Sequence, residues 1–564
     1  MEISIIKKPE LVVAIDFGST YTGYAWQWRA DFLNNRSNVQ FNNNWGTGAL
    51  QLHKTSTCIL LEAKEKYGME YKIDSFGQMA EDIYKHLCKE KESDIPGKWY
   101  FFKRFKRLLF SKDFHTEIQA EDQIGQHVPL LDVVAKLIEA LKNHFIGNLK
   151  EKGQNVEMDK ILWVLTVPAI WSDEAKCFMR QAAEMSGIKK TNLLLELEPE
   201  AAAIYCIHLP DEQQAIMNEL GTPGQVFITV DLGGITIDLS AFKVLKHGFL
   251  EEICVTQADL AGWQNVNDAF FQVCHDSFEG DSWKQTFGKT KPTEMIDIED
   301  DFEQKKIKIG VTDPRAEKIV LKVLFAVREE IEDGYIRLKK TSDIHKKLML
   351  IDDELIFNPE FIRNTLFKET CSIICHSMQK QLQILRLREC KTILLVGGFA
   401  ESPIVVQHIR KFFAETFPEI RVVVPTSPFK AVLKGAVLYG HDPMILRGRE
   451  KVNKKLPNEK NNKYNCTDSS EIHFEKGDLV VQDEKLEQLM YKDQKSARFA
   501  LHTSTSIGTR TEEPGNIMYI TNDGTQKREK VVHSQDTTRG EDIDLFYVLP
   551  CLVIKFCTLC KYDK

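Results

Sequence analysis

Three turns in this chain carry residues whose types and spacing suit phosphate chemistry. The first is Asp16-Phe17-Gly18-Ser19-Thr20, which follows the apolar run LVVAID. Gly18 lets backbone amides approach phosphate oxygens closely, and Ser19 and Thr20 add hydroxyl donors. Asp16, at the end of a strand-like run, is placed to hold Mg²⁺ through its water shell, because Mg²⁺ gives up its waters reluctantly. The second turn, Asp231-Leu232-Gly233-Gly234-Ile235-Thr236-Ile237-Asp238, again lies between two strand-like runs. Its glycines suit a tight loop against phosphate, with Asp231 facing the metal from the other side and Thr236 offering a hydroxyl. The third, Val396-Gly397-Gly398-Phe399, precedes Ala-Glu-Ser-Pro at a helix start, so a nucleoside could lie on its backbone with phosphates near the helix N-terminus. None of the three contains GxGxxG, which argues against a Rossmann site.

These turns need strands to hold them, and the chain supplies strands alternating with helices, the pattern of α/β lobes. LVVAID, ILWVLTV, NLLLEL, QVFITVD and KTILLV read as buried strands. VPLLDVVAKLIEALKNHF has helical periodicity, and in SDEAKCFMRQAAEMSG Ser172 is placed to cap a helix and Gly187 to end it. Two halves that each open on an Asp-x-Gly turn read as a diverged internal duplication. With 564 residues, the chain exceeds what one core fills. The polar stretch from Asp211 to Gly224 marks a boundary, giving lobes at 1–215 and 216–445. Beyond lies 446–564, a charged, Asn-rich linker followed by short β-type runs (DLVV, RFALHTST, NIMYITNDG, KVV).

Bulk composition narrows the functional classes. A balance of 74 basic against 82 acidic residues argues against a protein built to neutralise nucleic-acid phosphates. No run approaches the roughly 20 apolar residues of a membrane span, and the opening MEISIIKKPELVVAID lacks a signal-peptide core. The expectation is a cytoplasmic protein whose 13 cysteines are reduced thiols, including the lone Cys557-x-x-Cys560 and the helix-spaced Cys371 and Cys375.

In order and spacing, the three turns resemble the phosphate-1, phosphate-2 and adenosine motifs of the actin, hexokinase and heat-shock ATPase superfamily. AIDFGSTYTGYA, RFKRLL, WVLTVPAIWSDEAKCFMRQAAEMSGI, LELEPEAAAIY, VDLGGITID, ILLVGGFAESPIV and AVLKGAVLYG resemble the 70-kDa heat-shock branch over roughly Leu11 to Pro443. VPAIW, LEPEAA before Ile-Tyr-Cys, and LKGAVLYGHDP are similar to its atypical 12A/12B subgroup. The resemblance implies a two-lobed actin-like ATPase with duplicated ribonuclease H-like lobes, ending in a small β-rich region. It implies ATP or ADP with Mg²⁺ in the cleft. Lys106 would contact the γ-phosphate and Glu198 the attacking water. Asp16 and Asp231 would complete the catalytic group, with Tyr21, Glu303 and Lys306 adding to the nucleotide contacts. Read without the resemblance, KRFKR is only a solvated basic run.

The same comparison marks departures. Ile235 stands where the family has a third glycine, and a β-branched residue there is expected to cost φ freedom and crowd the phosphate. Ala261-Gly262 replaces a glycine pair, and Ile307 replaces an arginine that stacks on adenine. The linker is basic, and about 115 residues after it are too few for the family's peptide-binding sandwich and lid. The implied function is a nucleotide-switched, slowly hydrolysing, chaperone-like stress-response protein that recognises protein clients or signalling partners. The alternative is a non-hydrolysing pseudo-ATPase adaptor. A sugar-kinase reading conflicts with the EPEAAA and VPAIW segments.

Overall fold

In the computed structural model, the described residues are 9–448 apart from 46–52, 67, 91–94, 111–116, 209–219, 280–291, 307–308, 310–318, 323–336, 339–347, 352–353 and 385–388, plus five short strands beyond 495. Most of the turn-rich boundary stretch, Ile307, the linker, DLVV and the Cys557/Cys560 pair lie outside them.

The apolar runs form two six-stranded sheets of matching plan. In the first, β1 (Leu11–Phe17) and β2 (Tyr21–Trp28) form a hairpin extended by β3 (Gln40–Phe41), with β4 (Thr55–Ser56) also pairing β2. Two further strands, β5 (Ile161–Val167) and β6 (Leu193–Leu197), run parallel to β1 on its other side. The second sheet repeats this arrangement. The hairpin is β7 (Val226–Leu232) with β8 (Ile237–Val244), followed by β9 (Leu250–Asp259), the parallel strands are β10 (Thr392–Val396) and β11 (Arg421–Val423), and the short strand Leu446–Gly448 runs parallel to β9 at the far edge. Strands buried on both faces read as continuous apolar runs because helices cover them on both sides; every residue of β1, β5, β7 and β10 is buried. Asp16 and Asp231 occupy equivalent places near the ends of β1 and β7, where a strand has a parallel neighbour on one side and an antiparallel one on the other.

Helix α1 (Leu130–Glu151) and helix α2 (Asp173–Met185) cover the first sheet. Ser172 caps α2, its hydroxyl accepting from the Ala175 amide at 3.2 Å, and Gly187 leaves the helix at φ 85°. The two lobes share a core in which α3 (Glu198–Cys206) packs on α6 (Ala431–His441). A Cβ on Gly435 would lie 1.6 Å from the Ala201 carbonyl oxygen, so the alanines and glycines of these helices set their spacing. Cys371 and Cys375 are buried in the second lobe's core and are free thiols, as are all described cysteines.

A second bridge joins the lobes through α4 (Trp263–Ser277) and α5 (Pro292–Lys306). On α5, Asp300 meets Lys103 at 3.1 Å and Lys85 at 3.2 Å, and Asp297 meets Lys85 at 2.6 Å. Glu299 takes both ends of the Arg104 guanidinium at 3.0 Å, and Ile296 packs with Tyr84 and Phe101. Five short strands, Ser496–Ala500, Asn516–Thr521, Gln526–Lys530, Tyr547–Leu549 and Leu552–Ile554, pair antiparallel in the C-terminal region.

Candidate functional site

The end of β1 fixes Asp16. Its strand partner across the sheet is Thr166, whose hydroxyl donates to Asp16 Oδ1 at 3.3 Å. Its other oxygen takes an ion pair from Lys54. The turn beyond is tied down by Thr57, whose hydroxyl donates to the Gly18 carbonyl at 2.9 Å and whose amide donates to the Thr20 carbonyl at 2.8 Å. Ser19 and Thr20 are half-buried, and Tyr21 is exposed.

The second turn closes through a 2.9 Å bond from the Gly233 amide to the Thr236 carbonyl. The start of α4 clamps it from outside, with the Trp263 amide donating to the Gly233 carbonyl at 3.2 Å and the Gln264 amide to the Gly234 carbonyl at 2.7 Å. Phosphate turns one and two touch, since a Cβ on Gly234 would sit 2.8 Å from Thr20 Oγ1. The expected conformational cost at Ile235 is absent: the only described non-glycine residues with positive φ are Arg104 and His247. The turn runs through ordinary backbone space at Ile235, so a β-branched residue is accepted there. Gly397 of the third turn is different. Its φ is 86°, and a Cβ there would lie 2.2 Å from Asp231 Oδ1 and 2.5 Å from the Leu232 carbonyl oxygen. Only glycine fits. Gly398 has open space around its Cα.

Lys106 follows a backbone kink at Arg104 (φ 62°) and is buried rather than solvated, which corrects the plain reading of the basic run. Its ammonium meets Glu198 Oε1 at 3.0 Å and lies 5.1 Å from the Trp171 ring centre. Glu198 opens α3, with Pro199 in the first turn. Burial raises its carboxyl above the usual range, an effect that Lys106 opposes. Burial, then the charges of Glu198, Asp238 and Asp16, hold the Asp231 carboxyl well above its usual value. These effects bring Asp16, Lys106, Glu198 and Asp231 into one electrostatic cluster at the junction of the two sheets.

Glu303 and Lys306 form a separate buried group on α5. The Lys306 ammonium donates to Glu303 Oε1 at 2.8 Å and to Asn267, and lies 4.1 Å from the Trp263 ring centre. Asn267 Nδ2 also donates to Glu303 Oε1, and the Trp263 indole N–H to Oε2, so both carboxylate oxygens are engaged within the protein. Burial pushes the Glu303 carboxyl up, but Lys306 and these donors outweigh it and leave it below the ordinary range. Trp263 also meets Phe399 edge-on at 5.0 Å, linking this group to the third turn.

Sequence reasoning passed over Lys54, Asp238 and Trp263. Lys54 belongs to KTST, a run with no spacing signal. Asp238 pairs across the hairpin with Asp231 and accepts from the Thr236 hydroxyl at 3.0 Å; burial, then Glu198, pushes its carboxyl up to about 7. Its place in the quoted second turn was the available signal. Among the described residues no cluster of three or more His, Cys, Asp or Glu is arranged to hold a metal directly. Asp16 and Asp231 are hard oxygen donors of the kind Mg²⁺ accepts through water, so the fit to that ion is an outer-sphere one. No helix of the described residues is long and apolar enough to cross a membrane.

Two sheets of matching plan, with carboxylates at equivalent strand ends and glycine turns meeting between them, define an actin-like ATP-binding fold. Residues 110–456 match the family model for Hsp70 protein, and the chain belongs to the Hsp70 family. It is 29% identical to human heat shock 70 kDa protein 12B over 495 residues, covering 78% of this chain and 70% of that protein. Human heat shock 70 kDa protein 12A is 26% identical over 494 residues, with the same coverage. The chaperone protein HscA of Buchnera aphidicola subsp. Acyrthosiphon pisum (strain Tuc7) is 25% identical over 348 residues, 62% of this chain and 46% of that protein.

Proposed function

We propose that the chain binds ATP and ADP between its lobes, hydrolyses ATP slowly, and uses the nucleotide state to control lobe closure in a chaperone-like response to stress. Lobes at 1–215 and 216–445, followed by a reduced β-rich region at 446–564, would form the working unit in the cytoplasm. The supporting observation is the convergence of Asp16, Lys106, Glu198 and Asp231 beneath two touching phosphate turns.

In this reading Ser19, Thr20, Thr236 and the amides of Gly18, Gly233 and Gly234 receive phosphate oxygens, while Gly397 and Gly398 let the nucleoside approach the backbone. Tyr21, Glu303 and Lys306 belong to the surrounding wall. Glu198 orients the attacking water, and Lys106 meets the charge that develops on the transferred phosphoryl group. Water attacks the γ-phosphorus, the bond to the bridging oxygen breaks, and ADP and phosphate leave. Burial raises the Glu198 carboxyl, which makes its carboxylate a stronger base than an ordinary glutamate and suits it to draw a proton from the attacking water. Asp16 and Asp231 would hold Mg²⁺ through water, and that ion would supply charge neutralisation on the phosphates. Protein clients or signalling partners would read the closed and open states.

The commitment of both Glu303 oxygens to Trp263, Asn267 and Lys306 favours a second reading, a non-hydrolysing adaptor with a weakened nucleoside subsite. Calorimetry with ATP and ADP on wild type and Asp16→Ala tests binding, and turnover of wild type against Glu198→Gln separates the readings. Micromolar binding weakened by Asp16→Ala, with turnover abolished by Glu198→Gln, supports the switch. Binding without turnover, or no binding by wild type, selects the adaptor.

A further inference from the structure

We propose that Lys54 is a phosphate-binding residue that also serves as the built-in counter-charge of Asp16, so that nucleotide binds here without needing a divalent cation. The inference rests on the nucleotide reading above and adds to it the residue that would do the work of the ion.

Lys54 immediately precedes β4, whose Thr55 and Ser56 pair with Thr22 and Tyr21 of β2. Thr57 on the same segment holds the first phosphate turn through the Gly18 and Thr20 carbonyls. The Lys54 backbone is therefore anchored beside that turn, with its Cα 3.4 Å from where a Cβ on Gly23 would stand. Its side chain reaches over the turn to Asp16, and its side-chain exposure is 19% against 8% for its partner.

The ammonium carries three N–H donors. One is on Asp16 Oδ2, and no second hydrogen-bond partner is recorded for it among the described residues. Donors without a protein partner, on a partly exposed cation at the mouth of a phosphate turn, are what a polyphosphate would engage. The charges of Asp231 and Glu198 also act on this ammonium. It therefore sits among the same carboxylates that a cation would neutralise.

Asp16 in this arrangement is not a bare carboxylate awaiting an ion. A divalent cation near it would meet Lys54 as a like charge, and its gain from Asp16 would be smaller than at an uncompensated carboxylate.

The test is calorimetry of ATP binding to the full chain, in excess Mg²⁺ and in EDTA, for wild type, Lys54→Met and Lys54→Arg. Wild-type affinity is expected to differ by no more than about threefold between the buffers, while Lys54→Met in EDTA loses about thirtyfold, the size of one charge-assisted hydrogen bond. Mg²⁺ is expected to restore most of that loss, and Lys54→Arg to follow wild type. A wild-type loss above about tenfold in EDTA, or Lys54→Met matching wild type in EDTA, overturns the proposal. The wild-type comparison decides this even if a variant folds poorly. Failure of wild type to bind ATP in either buffer is the separate result that removes the nucleotide reading itself, and this proposal with it.

Discussion

Lys106 shows what a single buried cation does for this site. Packed near the Trp171 ring and paired with Glu198, it is 2% exposed, so neither charge would be tolerated there alone. Lys106→Met is expected to lower any ATP turnover by about a hundredfold or more while changing ATP affinity less, as read by single-turnover kinetics beside calorimetry. An equal loss in both would assign Lys106 to binding alone. Trp263 presents the converse case, an indole N–H spent on the Glu303 carboxylate. Trp263→Phe keeps the ring but leaves that oxygen short of a donor, at a cost of about 1–3 kcal/mol, measurable by urea unfolding. The sequence puts Glu303 and Lys306 three residues apart on one helix, but nothing in the spacing of Trp263 and Asn267 links them to that pair. Those two arrive from α4, and only packing brings the helices together.

At the scale of elements, α5 is the piece whose position depends most on charge. It reaches from the second lobe to Lys85, Lys103 and Arg104 of the first, and those pairs are partly shielded from water. Arg104 adopts a left-handed backbone conformation while both ends of its guanidinium engage Glu299, so the ion pair helps hold the chain just before Lys106. Asp300→Ala leaves Lys85 with Asp297 at 2.6 Å and Lys103 with Glu81 at 3.1 Å but removes the acid the two lysines share, and is expected to cost about 1 kcal/mol. If closure over nucleotide uses this bridge, the same variant releases a fluorescent ADP analogue about tenfold faster. An unchanged release rate would confine the bridge to stability. The basic run KRFKR was visible in the sequence, but its direction was not. Three of its cations face acidic partners far along the chain, and composition alone treats such a run as solvated.

Across the whole molecule, the joint between lobes runs through the α3–α6 contact and ends at His441. The His441 ring stacks on Phe32 at 4.4 Å between centres, and Nε2 shares a 3.1 Å bond with the Gln27 carbonyl. Burial, reinforced by Arg29 and only partly offset by the bond to Gln27, pushes its pKa down to about 4. A base depressed in the folded state binds fewer protons than it does unfolded. Stability is therefore intact above the unfolded value near 6.5 and declines as pH falls toward 4, by at most about 3 kcal/mol. The melting temperature is expected to fall between pH 7 and pH 5, and His441→Gln, which keeps a donor for Gln27, to flatten that fall. An unchanged slope would place the acid sensitivity elsewhere.

The sequence by itself determined the three glycine turns, the strands that carry them and the duplication of the lobes. These depend on local backbone freedom and on apolar runs long enough to be buried, and both are written in consecutive residues. It also placed Asp16 and Asp231 at strand ends, where a carboxylate can meet phosphate without entering the sheet. Only the tertiary structure decided that Lys54 neutralises Asp16, that Trp263 and Asn267 occupy Glu303, and that Ile235 sits in a turn without backbone penalty. Each depends on which distant segment fills the space beside a residue. That is settled by close packing and charge pairing across the fold, where sequence separation carries no information about distance.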